Sequence, residues 1–136
     1  MAKKLAQKIK GGDIIALTGP LGAGKTTFAQ YFAAALGVMK NVKSPSFNIM
    51  HIHKIKNPLK SKVLFLCHLD CYRLINSKEL EIIGLDDWLG DKKTITIIEW
   101  ADKIRNLLPP QTIWINFTFN KSIRRGRISK TAQQHN

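Results

Sequence analysis

An α/β fold, with a mostly parallel sheet flanked by helices in three layers, is predicted by three observations in the sequence of 136 residues. Short apolar runs rich in β-branched residues alternate with segments of helical periodicity. The first such run leads directly into a glycine-rich loop and then into a helix pattern. The length matches one domain, so a single domain over residues 1–136 is expected.

The elements follow in order. Ala2, Leu5, Ala6 and Ile9 recur at helical spacing with lysines on the other face, and Gly11-Gly12 stands where a helix would end, predicting a short amphipathic helix. Ile14-Ile15-Ala16-Leu17-Thr18 is a continuous apolar run too short for a helix, as a buried parallel strand should be. From Lys25 to Leu36 the residues Phe28, Phe32, Ala35 and Leu36 fall on one face, and Gly37 closes the pattern. Further strands are predicted from Phe47 to Ile52, Val63 to Leu69, Thr94 to Ile98 and Thr112 to Phe119. Ser77 before Lys78-Glu79-Leu80-Glu81 reads as an N-cap and first turn, and Ala101 to Leu108 as a helix stopped by Pro109-Pro110. The stretch from His51 to Lys62 reads as a solvated basic loop, and the chain from about Lys121 as a basic tail with a frayed end.

Twenty-two Lys and Arg against nine Asp and Glu give a net charge of +13, more than solubility needs, so an anionic partner or substrate is expected. Eight of the nine acids lie between Asp70 and Asp102, which raises the prospect of a carboxylate site there, although a solvated acidic helix is the plainer account. Two cysteines cannot build a disulfide framework, and no apolar run approaches the roughly 18 residues of a membrane-spanning helix. With no export signal in the N-terminal run, the expected setting is the cytoplasm.

Gly19-Pro20-Leu21-Gly22-Ala23-Gly24-Lys25-Thr26 fits the pattern G-x-x-x-x-G-K-[ST] in full and lies between a predicted strand and a predicted helix. This predicts a phosphate loop and a P-loop NTPase fold. Its glycines let successive main-chain N–H groups turn toward phosphate oxygens, and the helix adds its positive end. Lys25 is expected to reach the β and γ phosphates of a nucleotide, Thr26 to offer a hydroxyl to Mg²⁺, and Thr27 to help hold the phosphates. A glycine-rich helix cap would account for Gly22 and Gly24 but not for the Lys-Thr pair.

Asp70 ends the run from Val63 and would present a carboxylate to the magnesium shell. Glu99 ends a similar run and could orient or deprotonate the water that attacks the γ phosphate. Taken singly, each serves as readily as an N-cap or a solvated strand end; two of them beside a complete phosphate loop favour catalysis. Ser44-Pro45-Ser46-Phe47 stands where a P-loop protein carries a γ-phosphate sensor, with an ordinary turn slightly favoured by the residues alone. Cys67, His68 and Cys71 lack zinc-site spacing, so the two cysteines read as buried thiols, and Trp100 reads by default as core packing.

Four blocks carry a resemblance: Gly19 to Thr27, Ser44-Pro45-Ser46-Phe47, His68-Leu69-Asp70-Cys71-Tyr72-Arg73-Leu74 and Ile98-Glu99-Trp100. In this order the sequence resembles the TsaE family, bacterial P-loop ATPases of tRNA N6-threonylcarbamoyladenosine (t6A) biosynthesis. The resemblance runs from about Gly12 to Arg127. It implies an ATP- and Mg²⁺-dependent ATPase that works with the TsaB–TsaD complex, meets tRNA through that complex, and does not itself transfer the threonylcarbamoyl group. It further implies that Thr26 and Glu99 are magnesium-site residues, that Asp70 acts near the metal, and that Ser44–Phe47 and Glu99-Trp100 are switches. Tyr72 and Arg73 would shape the site or a partner surface. The sequence departs from the family in having Ser46 where threonine is usual and Gln30 where a basic residue is common. Members also carry a strand and a threonine-containing segment ahead of the helix that opens this chain.

Two other readings are weaker. A small-molecule kinase would use the same phosphate loop but needs an arginine-bearing lid, and no clear one is visible. A plain RNA-binding module would explain the charge and the basic residues Lys121, Arg124, Arg125, Arg127 and Lys130, but no RNA-recognition motif accompanies them.

Overall fold

The computed structural model describes residues 1–38, 49–56, 62–119 and 124–130. Its centre is a six-stranded sheet in the order β2-β3-β4-β1-β5-β6. The strands are β1 (Ile14–Thr18), β2 (Met50–Lys54), β3 (Phe65–Asp70), β4 (Thr94–Glu99), β5 (Ile113–Phe119) and β6 (Arg124–Lys130). The four inner strands β3, β4, β1 and β5 run parallel, and the two edge strands are antiparallel to their neighbours. The expected α/β fold with a mostly parallel sheet is what forms.

Alternation along the strands sorts their side chains onto two faces. Ile15, Leu17, Leu66, Ile95, Ile97, Ile115 and Phe117 join one core with α1 (Ala2–Lys8) and α2 (Lys25–Leu36). Ile14, Ala16, Cys67, Leu69, Ile98 and Trp114 join the other, under α3 (Lys78–Ile82) and a 3₁₀ helix at Ala101–Leu107. In α1, Ala2, Leu5 and Ala6 are buried at helical spacing, with Ile9 buried just beyond. In α2 the buried face is Phe28, Ala29, Phe32, Ala33 and Leu36. Phe28 stacks on Phe32 at 6.2 Å and meets Phe117 edge-on at 5.6 Å, fixing the helix to β5. The helix ends where predicted. Gly37 takes φ 98°, and the N–H of Val38 donates to Ala33 O at 3.0 Å, satisfying a carbonyl the helix would leave bare.

Four expectations are corrected. β2 lies at Met50–Lys54, so the start of the expected basic loop is strand; its cross-strand partner β3, and not its composition, decides this. The segment after Trp100 is 3₁₀, with a break at Ile104, and not a regular α-helix. Residues 124–130, expected in the tail, form β6 by main-chain pairing along β5, a long-range contact that residue type does not reveal. Ser77 makes no side-chain cap. Glu79 instead accepts the N–H groups of Ile75 and Asn76, and Asn76 accepts that of Lys78.

No helix among the described residues is long and apolar enough to cross a membrane. Cys67 and Cys71 are free, fully buried thiols, and burial pushes each up to about 12. Alkylation at pH 8 should therefore be slower in the native protein than in the unfolded chain by on the order of 10³-fold, from thiolate population alone. Rapid native labelling of either cysteine, read by mass spectrometry, would contradict this packing.

Candidate functional site

The site forms where β1 hands over to α2. Gly19 follows β1 at φ 131°, and a Cβ there would lie 2.3 Å from the carbonyl oxygen of Phe117, so only glycine lets the loop pass β5 this closely. Ala23 N–H donates to Pro20 O at 3.2 Å, closing the turn, and Gly24 at φ 108° launches the helix from the left-handed region. The main-chain N–H groups of Gly22, Gly24, Lys25 and Thr26 have no acceptor among the described residues. Four such donors at the positive end of a twelve-residue helix make an anion cradle. Pro20, Leu21, Gly22 and Thr27 face solvent, while Ala23 is buried beneath them.

Lys25 is only 5% exposed. Its ammonium donates to Gly19 O and, at 2.9 Å, to Pro20 O, and sits 4.0 Å from the centre of the Trp100 ring. Burial holds its pKa below the usual lysine value, with Glu99, Asp102 and Asp70 opposing that shift. Trp100 packs at the rim of the core under α3, as expected, and also covers Lys25. It adopts φ 58°, the one positive φ outside glycine among the described residues, and its ring lies 4.9 Å from that of Tyr72. A left-handed tryptophan is an uncommon backbone state, maintained here at the mouth of the loop.

Register brings the carboxylates to the same place. Asp70 of β3 pairs with Glu99 of β4, and Glu99 pairs with Leu17 of β1, so all three share the α2 face of the sheet. Glu99 is 1% exposed. Its Oε1 accepts the hydroxyl of Thr26 at 2.6 Å, and its Oε2 lies 2.6 Å from Nε2 of His68. Asp70 is half-buried, and its Oδ1 accepts the N–H of Tyr72 at 2.9 Å. Asp70 thus also stabilises the turn that follows it.

The structure therefore gathers Lys25, Thr26, Asp70 and Glu99 at the carboxyl edge of the parallel strands, where ligands of open α/β sheets bind. The Ser44–Phe47 segment lies outside the described residues. His68, set aside in the sequence as a zinc ligand, turns out to touch Glu99. Its signal was the parity it shares with Asp70, two residues on along β3. Cys67 points into the opposite core, so no zinc site assembles, and no group of three or more His, Cys, Asp or Glu able to hold a metal occurs among the described residues. Thr26 and Glu99 do offer a hydroxyl and a carboxylate in direct contact, hard oxygen donors of the kind Mg²⁺ takes.

The sequence model of the family described as "Threonylcarbamoyl adenosine biosynthesis protein TsaE" matches residues 1–127. The chain is 38% identical over 115 residues to a Bacillus subtilis protein named tRNA threonylcarbamoyladenosine biosynthesis protein TsaE, covering 85% of this chain and 67% of that one. Proteins of the same name from Rickettsia felis and Haemophilus influenzae are 36% and 33% identical, covering 85% and 78% of this chain and 64% and 63% of theirs. The chain thus spans about two thirds of the length of these relatives. A crystal structure of Bacillus subtilis YdiB superposes with a TM-score of 0.70 at 28% identity, covering 99% of this chain and 86% of that one. On the extent of the sequence-model match and these identities, the chain belongs to the TsaE family.

Proposed function

We propose that this chain is a Mg²⁺-dependent ATPase acting as an accessory protein in tRNA N6-threonylcarbamoyladenosine biosynthesis, with TsaB–TsaD as its partner complex and tRNA met through that complex. The observation that carries the ATPase part is the joining of a complete phosphate loop, through the hydroxyl of Thr26, to a buried carboxylate at the end of the neighbouring strand. The biosynthetic role rests on the names of the relatives, and the partner complex on the resemblance of the four sequence blocks.

In this reading the free N–H groups of the loop and the start of α2 bind the phosphates. Lys25 leaves the carbonyls of Gly19 and Pro20 and brings its ammonium to the β and γ phosphates. Thr26 and Glu99, with Asp70 beside them, would hold Mg²⁺, which would supply positive charge to offset that of the phosphates. Glu99, buried and aligned with Asp70 across β3 and β4, orients or deprotonates the attacking water.

Two substitutions test the chemistry. Lys25→Ala should abolish turnover or weaken ATP binding; normal turnover by a folded variant would remove the loop from the reaction. Glu99→Gln should leave ATP binding largely intact while slowing phosphate release by on the order of a hundredfold or more. An unchanged rate would free Glu99 from the chemistry. The partnership is tested by co-purification with TsaB and TsaD with and without ATP, where failure to associate under both conditions would refute it.

A further inference from the structure

We infer that His68 is a positioning residue: it fixes the rotamer of Glu99 so that one carboxylate oxygen stays directed at Thr26 and the phosphate loop. The inference deepens the ATPase reading and rests on it for its catalytic consequence. The contact itself stands independently. His68 is 0% exposed, and its Nε2 lies 2.6 Å from Oε2 of Glu99, whose other oxygen is engaged by Thr26. Both oxygens of a nearly fully buried carboxylate are thereby held, one from β3 and one from α2.

The partners also fix the direction of the bond. Nδ1 of His68 is buried with no hydrogen-bond partner among the described residues. A proton placed on Nδ1 would be a buried donor with no acceptor among the described residues, an unfavourable state. The arrangement that leaves fewest losses puts the proton on Nε2, donating to Glu99, with Nδ1 bare. His68 therefore acts as a donor that keeps the carboxylate oriented, and not as an acceptor that would draw a proton from it. Strand parity explains how His68 reaches Glu99. His68 and Asp70 lie on the same face of β3, and the register sets His68 against Ile97, two residues before the Asp70–Glu99 pair. From there its ring leans along the sheet to the glutamate.

Two measurements test this. In nucleotide-free, metal-free protein labelled with ¹⁵N-histidine, one ring should show a solvent-protected Nε2–H and an unprotonated Nδ1. That signal should be lost in His68→Gln and shifted in Glu99→Gln; a His68 ring protonated at Nδ1 instead would overturn the proposal even if the protein proved to have no ATPase activity. The second measurement is turnover against Mg²⁺ concentration. His68→Phe, which removes the donor, should lower kcat by about 10–100-fold and raise the Mg²⁺ needed, with a smaller change in KM for ATP. His68→Gln, which keeps an amide N–H at similar reach, should recover most of the rate. Equal loss in both variants, or no loss in either, would overturn the positioning role, whereas a wild-type protein that neither binds nor hydrolyses ATP would defeat the ATPase reading instead. If His68→Phe does not fold, the glutamine variant and the ¹⁵N signal decide the matter.

Discussion

The hydroxyl of Thr26 donating to the buried carboxylate of Glu99 is the contact around which the rest of the site is arranged. It ties the first turn of α2 to the last residue of β4, joining residues 73 positions apart in the chain. For the bond to form, β4 must present its odd-numbered residues to α2, and β1 must hold Leu17 level with Glu99. A slip of one residue in β4 would send Glu99 into the opposite core and replace it with Ile98. The two-sided burial of β4, with both of its faces in apolar cores, is what makes such a slip expensive. Gly19 completes the condition, because the loop reaches this position only by passing against the main chain of β5.

Much of this was legible in the sequence, for identifiable reasons. β1, the loop and α2 were read correctly because their signals are local: an apolar run, glycines at fixed spacing, and a helical stripe ending in Gly37. The carboxylates at Asp70 and Glu99 were legible because each closes an apolar run. What the residues could not reveal depends on pairing between distant segments. β6 exists through its ladder with β5, and His51–Lys54 is strand because β3 lies beside it. His68 illustrates the limit most clearly. Its parity with Asp70 was visible, but its contact with Glu99 required the register of β3 against β4, which no single stretch of sequence encodes.

The concentration of acids between Asp70 and Asp102 also has a physical resolution. It does not assemble one metal-binding cluster of carboxylates among the described residues. Asp70 and Glu99 go to the phosphate loop, while several of the others serve the main chain. Glu79 caps the start of α3, and Asp91 accepts from the N–H of Lys93 and the hydroxyl of Thr94 ahead of β4. Short helices and tight turns leave many bare N–H groups, and carboxylates satisfy them. The sequence pattern is therefore the sum of two unrelated demands that happen to share a stretch of chain.

Lys25 carries a last implication. With its ammonium lodged on two carbonyls of its own loop and beneath the indole of Trp100, the cradle already contains a positive charge turned inward. An arriving polyphosphate would meet a seat whose central cation is engaged elsewhere, so its uptake would be an exchange of partners and not a simple filling of empty space. The free energy of breaking those internal contacts would be subtracted from whatever the phosphates supplied, making the affinity weaker by that amount than the same loop would show with its lysine already extended.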